Sequence, residues 1–276
     1  AGGGGNQGFH NNLRDLTLDV GANQGASAID FLGNNQGGIV RVVLLGHSSR
    51  GIGLNLTRGE QGPTLISKLL VVGFSRGIVT AVTECSITFE HIFLRLQTQA
   101  AVENEDNTVT FRGLHVLTDL ADRPVLVNSV SAAKPHANAA PKMPSAATSL
   151  MTLLDSTISV TRHKPGDACA IDSSLSGSLL LRNTTVNGFR CAVNNTWWRQ
   201  ERNGSTPPAP SSEGSFAIAE WASSPVLSLA KPEHKLSLPV RETPEEENGV
   251  SGVRATPGLW LAVNASSTKT NGEPCT

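Results

Sequence analysis

A six-residue pattern of aliphatic, polar, any, aliphatic, any, aliphatic recurs through the first two-thirds of the chain, and it constrains the fold more than any other feature. Its clearest copies are Leu13-Arg14-Asp15-Leu16-Thr17-Leu18, Val40-Arg41-Val42-Val43-Leu44-Leu45 and Ile66-Ser67-Lys68-Leu69-Leu70-Val71. It continues as Phe89-Glu90-His91-Ile92-Phe93-Leu94 and Phe111-Arg112-Gly113-Leu114-His115-Val116. Weaker copies begin at Leu154 and Leu181, so the starts are separated by 27, 26, 23, 22, 43 and 27 residues. Self-similarity at such a period is the signature of a repeat architecture.

A second, shorter pattern keeps step with the first. It reads Ala28-Ile29-Asp30, Gly53-Leu54-Asn55, Ile78-Val79-Thr80, Ala101-Val102-Glu103, Leu126-Val127-Asn128, Ala170-Ile171-Asp172 and Ala192-Val193-Asn194. Two phase-locked motifs per period require at least two strands per repeat. In each strand alternate residues point to opposite sides, so the aliphatic positions share one interior while Arg, Asp and Asn face water. The period is too short for a four-stranded propeller blade and lacks the helices of ankyrin-like arrays. Parallel pairing of each strand with its copy one repeat later satisfies the backbone and buries the aliphatic columns. The chain is therefore expected to be an all-β, right-handed parallel β-helix of about seven coils, the hand following from strand twist.

The 43-residue interval reads as one coil plus a looped insertion, because residues 131–149 are rich in Ala, Pro and Ser. Periodicity stops near Trp197. The expected organisation is a β-helix over 1–198 and a linker with an extended C-terminal strap over 199–276, anchored by Trp221, Val226, Leu229, Leu236, Leu238 and Trp260. The first residues, Ala1 to Gly5, lack the basic start and apolar core of a signal peptide, as in a mature or truncated product.

Composition excludes several partners. With 22 Lys plus Arg against 23 Asp plus Glu and only 16% charged residues, no basic field attracts nucleic acid. No apolar run is long enough for a transmembrane helix, so no membrane partner is expected. Four cysteines occur without a CxxC pair, and the seven histidines are scattered, so no metal is assigned to them. Cys169 and Cys191 begin the matching tetrads Cys-Ala-Ile-Asp and Cys-Ala-Val-Asn, which places them one above the other in adjacent coils. A strand spacing of roughly 4.8 Å suits a disulfide there, and the alternative is two buried thiols. Cys85 and Cys275 could form a second bridge, without local support. A disulfide implies a secreted, extracellular protein. Asn55, Asn183, Asn194, Asn203 and Asn264 each begin an Asn-X-Ser/Thr sequon and permit glycosylation.

The stretch from Asn11 to about Glu103 resembles the pectate-lyase-like superfamily of β-helix proteins, especially its poorly characterised, glycoside-hydrolase-related bacterial members. The likeness is carried by Leu13 to Gly21, by Ile29-Asp30-Phe31 with Asn34-Asn35-Gln36-Gly37, and by Phe89-Glu90-His91-Ile92. The tail pieces Trp221 to Val226 and Leu236 to Pro244 are similar to the tails of those proteins. The resemblance implies a β-helix that binds or processes polysaccharide, as a lyase or a hydrolase. Members usually begin with Gly/Asp-rich closing coils, and this chain is expected to start downstream of them. The Asn-Thr-Asp, Asp-Asp and Gly-His-Gly motifs of the polygalacturonase branch do not occur.

Stacking places equivalent positions in outward columns. One is expected to read Arg14, Arg41, Ser67, Glu90, Arg112, Asp155, Arg182, in which Arg14, Arg41, Arg112 and Arg182 could pair with an acidic polysaccharide. The alternative is a solvated face whose mixed charges oppose aggregation. The other is expected to read Asp30, Asn55, Thr80, Glu103, Asn128, Asp172, Asn194. Within it Glu103 and Asp172 lie about 10 Å apart across two coil steps, at the upper limit for the two carboxyls of an inverting glycosidase. A structural hydrogen-bond ladder is the competing account. The acidic corner Glu103, Glu105, Asp106 offers oxygen ligands for calcium, or is a solvated turn. No other cofactor is indicated. Trp197-Trp198 forms a sugar-stacking platform or caps the end of the coils. Three functions remain open: a polysaccharide lyase or hydrolase, a non-catalytic glycan-binding module, and a structural or adhesive component that self-associates through open coil ends into filaments.

Overall fold

A computed structural model describes residues 8–59, 61–81, 86–130, 149–161, 166–175, 177–196, 206–212 and 214–223. These form a mostly parallel β-solenoid of about six turns, with thirteen strands hydrogen-bonded into one continuous sheet. The strands are β1 (Asn12–Asp19), β2 (Ile29–Asp30), β3 (Asn34–Leu56), β4 (Gly62–Ala81), β5 (Ile87–Arg95), β6 (Ala100–Glu105) and β7 (Thr108–Thr118). After them come β8 (Leu126–Ser129), β9 (Leu150–Val160), β10 (Cys169–Asp172), β11 (Ser178–Asn187), β12 (Cys191–Asn194) and β13 (Ser215–Ala222).

The first repeat motif builds the stack β1-β3-β4-β5-β7-β9-β11, and the second builds β2-β3-β4-β6-β8-β10-β12, all in parallel. Each stack holds seven layers joined by six steps, so the expected seven coils and the observed turns agree closely. Phe111 pairs with Leu153 in adjacent layers, so the long interval between β7 and β9 is one coil step with extra chain.

In every layer one residue with positive φ bends the chain within the first motif. Asp15, Arg41, Lys68, His91, Gly113, Asp155 and Asn183 all occupy the left-handed region, at φ 46° to 69°. They stack into a corner, because the pairs on either side run in register, Arg14 with Val40 and Leu16 with Val42, then Glu90 with Arg112 and Ile92 with Leu114. We call the part before the corner face A, the part after it face B, and the second motif face C.

Inward columns fill the tube. Face A contributes Leu13, Ile39, Ile66, Phe89, Phe111, Leu153 and Leu181, in which the Phe89 and Phe111 rings stack at 4.3 Å. Face C contributes Ile29, Leu54, Ile78, Val102, Leu126, Ile171 and Val193, nearly all fully buried.

The register moves four motif copies by one residue. Leu13 stacks on Ile39, not Val40, and Phe111 on Leu153, not Leu154. Likewise Val79 and Val127, not Thr80 and Asn128, continue the outward column of face C. Thr80 and Asn128 instead point inward and are fully buried.

At the last coil the direction reverses. β13 lies antiparallel on β11 and sets Trp221 against Leu181, Ile218 against Thr184 and Phe216 against Val186. These residues close the apolar columns, and the Trp221 indole N–H donates to the Thr206 carbonyl at 2.8 Å. Of the expected strap anchors, Val226, Leu229, Leu236, Leu238 and Trp260 lie outside the described residues.

Candidate functional site

The corner residues give the solenoid a polar ridge, because a single left-handed residue turns its side chain outward in every layer except that of Gly113. Arg41 donates to both oxygens of Asp15, one bond measuring 2.7 Å from Nη2. That pairing holds the Asp15 carboxyl below its ordinary range and raises the Arg41 guanidinium. Asn183 Nδ2 donates to Asp155 Oδ1 at 2.7 Å, and Arg112 Nε lies 3.8 Å from Asp155 Oδ2. Lys68 is exposed between these clusters.

The expected arginine column is therefore corrected. Its true register is Arg14, Val40, Ser67, Glu90, Arg112, Leu154, Arg182, while Arg41 and Asp155 belong to the corner column beside it. The cause is the one-residue shift at Ile39 and Leu153. The two columns together still form one ridge, with Arg14, Arg41, Lys68, Arg112 and Arg182 against Asp15, Glu90 and Asp155.

The outward column of face C reads Asp30, Asn55, Val79, Glu103, Val127, Asp172, Asn194. Its carboxylates are bonded to neighbouring layers. Asp30 accepts from Arg58 at 3.1 and 2.7 Å and from Asn55 at 3.3 Å, and the Arg58 bond lowers its pKa. Glu103 accepts from Arg76 at 3.1 Å, and Asp172 from the Ser174 amide at 3.0 Å and from Asn194 at 3.2 Å. Glu103 and Asp172 do share a column two steps apart, about 9.6 Å at strand spacing, with Val127 between them.

A structural ladder exists, one residue further along and inside the tube. Thr80 donates to Asn104 at 2.6 Å, and the Asn104 amide to Asn128 Oδ1, Ser149 Oγ and the Asn107 carbonyl at 2.8 to 2.9 Å. Asn128 passes the chain on to the Ser178 carbonyl at 2.8 Å. This ladder ties β6, which carries Glu103, to β4, β8 and the start of β11.

Cys169 and Cys191 form the expected disulfide, with Cα atoms 4.4 Å apart in register between β10 and β12. Cys85 lies outside the described residues, as do Cys275, Trp197, Trp198, Asn203 and Asn264. Of the sequon asparagines that are described, each directs its amide to the carboxylate of an adjacent layer: Asn55 to Asp30, Asn183 to Asp155, Asn194 to Asp172. No three His, Cys, Asp or Glu side chains converge on a metal-sized site among the described residues. The calcium candidate is weakened further because the Glu103 carboxylate is engaged by Arg76.

Sequence reasoning missed Arg58, in the turn after β3, and Arg76, on β4 just before the second motif. It also missed Lys68, His91 and His115. The signal for the corner was present: Asp15, Gly113, Asp155 and Asn183 are residue types that tolerate the left-handed region. His115 stacks on Phe93 at 5.0 Å, and burial, with a smaller contribution from His91, pushes its pKa down to about 4.

The fold and the columns define a parallel β-solenoid. No protein-family model matches the chain, and no curated protein matches it.

Proposed function

We propose that this protein is an extracellular solenoid of pectate-lyase-like type that binds an acidic polysaccharide along its corner ridge without cleaving it. The observation that carries the reading is the ridge itself. It presents cationic side chains in layers one, two, three, five and seven against three carboxylates, with successive layers about 4.8 Å apart. Guanidinium and ammonium groups set at multiples of one layer spacing suit a polymer that carries carboxylates along its length. Binding rather than turnover is favoured because Glu103 and Asp172 are both held in bonds to neighbouring groups. A general acid or base needs a carboxyl available to the substrate. The disulfide is consistent with an extracellular setting.

The test is a binding assay of the full chain on polygalacturonate and alginate against a neutral glucan, with product analysis for reducing ends and unsaturated uronates. Retention on the acidic polymers that weakens with salt, at least tenfold lower in Lys68→Glu/Arg112→Glu, with no product, is expected. Equal retention on the neutral glucan, or products lost in Glu103→Gln and Asp172→Asn, contradicts the reading.

A second reading, self-association through a coil end, is favoured by one observation. Among the described residues β1 pairs only with β3, and its inward Leu13, Leu16 and Leu18 are only partly buried. A cavity of about 480 Å³ beside Leu13 is lined by apolar Ile29, Phe31 and Leu32 and by polar Asn11, Asp30 and Arg58. The opposite end differs, since β13 covers the edge of β11. Self-association through one end alone closes into a dimer instead of a filament. Sedimentation that shows dimers at high concentration supports this reading, and monomers throughout remove it.

A further inference from the structure

Face B carries an apolar strip on its outer side that the ridge does not use. In β3 and β4 the inward residues Val42, Leu44, Leu69 and Val71 are fully buried in the core, yet the residues that alternate with them are also aliphatic: Val43, Leu45, Leu70 and Val72. The strip continues with Phe93 on β5 and with His115 and Leu117 on β7. The register is continuous, Val43 to Leu70 to Phe93 to His115 in one column, and Leu45 to Val72 to Arg95 to Leu117 in the next. None of its apolar members belongs to the interior cluster. The strip also ends abruptly. The same outward positions are Thr17 and Asp19 in β1, Thr157 and Ser159 in β9, and Thr185 and Asn187 in β11.

Near-continuous aliphatic runs in parallel strands are the mark of a sheet covered on both sides, whereas a hydrated outer side gives alternation. Layers two to five are thus built to be covered, and layers one, six and seven are not. The rings within the strip do not favour a sugar as the cover. Phe93 and His115 stack on one another at 5.0 Å with an interplanar angle of 24°, so each ring spends a face on its neighbour. Aliphatic side chains laid across the strip suit it better.

We propose that residues 236–240 of this chain, Leu236-Ser237-Leu238-Pro239-Val240, dock across the outer side of face B over Val43, Leu70, Phe93 and His115. Three coil steps from layer two to layer five span about 14 Å, and five extended residues span about 13 Å. Extended chain would turn Leu236, Leu238 and Val240 to one side and leave Ser237 and Pro239 on the other. Pro239 has no amide hydrogen for a sheet ladder, which suits a segment lying across strands instead of joining them. Thirteen positions separate Ser223, bonded to Leu179 at the last coil, from Leu236. Extended, they reach up to about 43 Å, enough to return from layer seven to this face.

The full chain tests this with p-benzoylphenylalanine in place of Phe93. Irradiation is expected to cross-link it within the same chain to the peptide holding 236–240. A cross-link between two chains, or none to residues 224–276, overturns the proposal. A second arm follows trypsin at Lys235 and Arg241, which flank the segment. Cleavage at both is expected to be at least tenfold faster in Leu70→Asp/Phe93→Asp than in the native chain, with far-ultraviolet circular dichroism unchanged. Equal rates overturn the proposal as well.

Discussion

Seven consecutive layers turn the same corner through one residue at φ 46° to 69°, and six of those residues are not glycine. A left-handed L-residue carries about 1–2 kcal/mol of local strain, less for Asn and Asp, whose short polar side chains bond locally. Asp15, Asp155 and Asn183 fit that preference, and Arg41 is compensated by its bonds to Asp15. Lys68 is not compensated: it makes no hydrogen bond or ion pair among the described residues. Lys68→Asn is therefore expected to raise stability by about 0.5–1 kcal/mol, read as a higher denaturation midpoint. The opposite change, Asn183→Val, is expected to lower it. His115 makes a second prediction at this scale. Its folded pKa, about 4, lies below the ordinary value of 6.5. The unfolded chain therefore binds the proton more readily, and stability falls as pH drops from 6.5 through 4. The loss is of order 3 kcal/mol when complete. Asp15, Asp19 and Asp30, all held below their ordinary range, lose their stabilisation only at lower pH. Urea titrations from pH 7 to pH 4 should show the first loss in the native chain and a much smaller one in His115→Gln.

At the scale of the strands, the buried ladder separates two asparagines that look alike in sequence. Asn104 is fully buried and joins Thr80, Asn128, Ser149 and the Asn107 carbonyl. Asn107 is equally buried, yet neither its side-chain oxygen nor its nitrogen has a partner among the described residues. Removing Asn104 strands several partners away from water, so Asn104→Ala is expected to cost about 3 kcal/mol. Asn107→Ala removes no bond, so its cost is expected to stay below about 1 kcal/mol. Chemical denaturation of the two variants distinguishes them, and equal losses would show that the ladder is not what Asn104 contributes. The strands themselves were largely legible. Five of the seven copies of each motif stand in the true register. The four that slip do so where the outward neighbour is also aliphatic: Val40, Leu154, Val79 and Val127. There a period of two offers two frames, and sequence alone cannot choose between them. The disulfide was legible for the converse reason, because Cys-Ala-Ile-Asp and Cys-Ala-Val-Asn align in one frame only.

For the whole molecule, the winding follows from repetition, but the functions of its sides do not. The parallel stack, the single step across the long interval and the absence of helical repeats could be read from spacing. Three things could not. The corner depends on φ, to which Arg41, Lys68 and His91 give no clue. The ion pairs Asp30–Arg58 and Glu103–Arg76 join the second motif to Arg58 in a turn and Arg76 on β4, which lie outside both motifs. The reversal at β13 lies beyond the last periodic residue. The candidate carboxylates were placed correctly in one column, while the bonds that occupy them were invisible. Every side assigned here, the ridge, the carboxylate column and the covered strip, rests on parallel stacking in one register. Disulfide trapping measures that directly in chains whose Cys85 and Cys275 are replaced by serine. Leu65 pairs with Thr88 near one end of the β4–β5 contact, and Val72 with Arg95 at the other. Parallel winding predicts efficient intrachain bridges in both Leu65→Cys/Thr88→Cys and Val72→Cys/Arg95→Cys, and none in Leu65→Cys/Arg95→Cys. A bridge in that last pair, with failure of the first two, would mean an antiparallel hairpin and would contradict the solenoid.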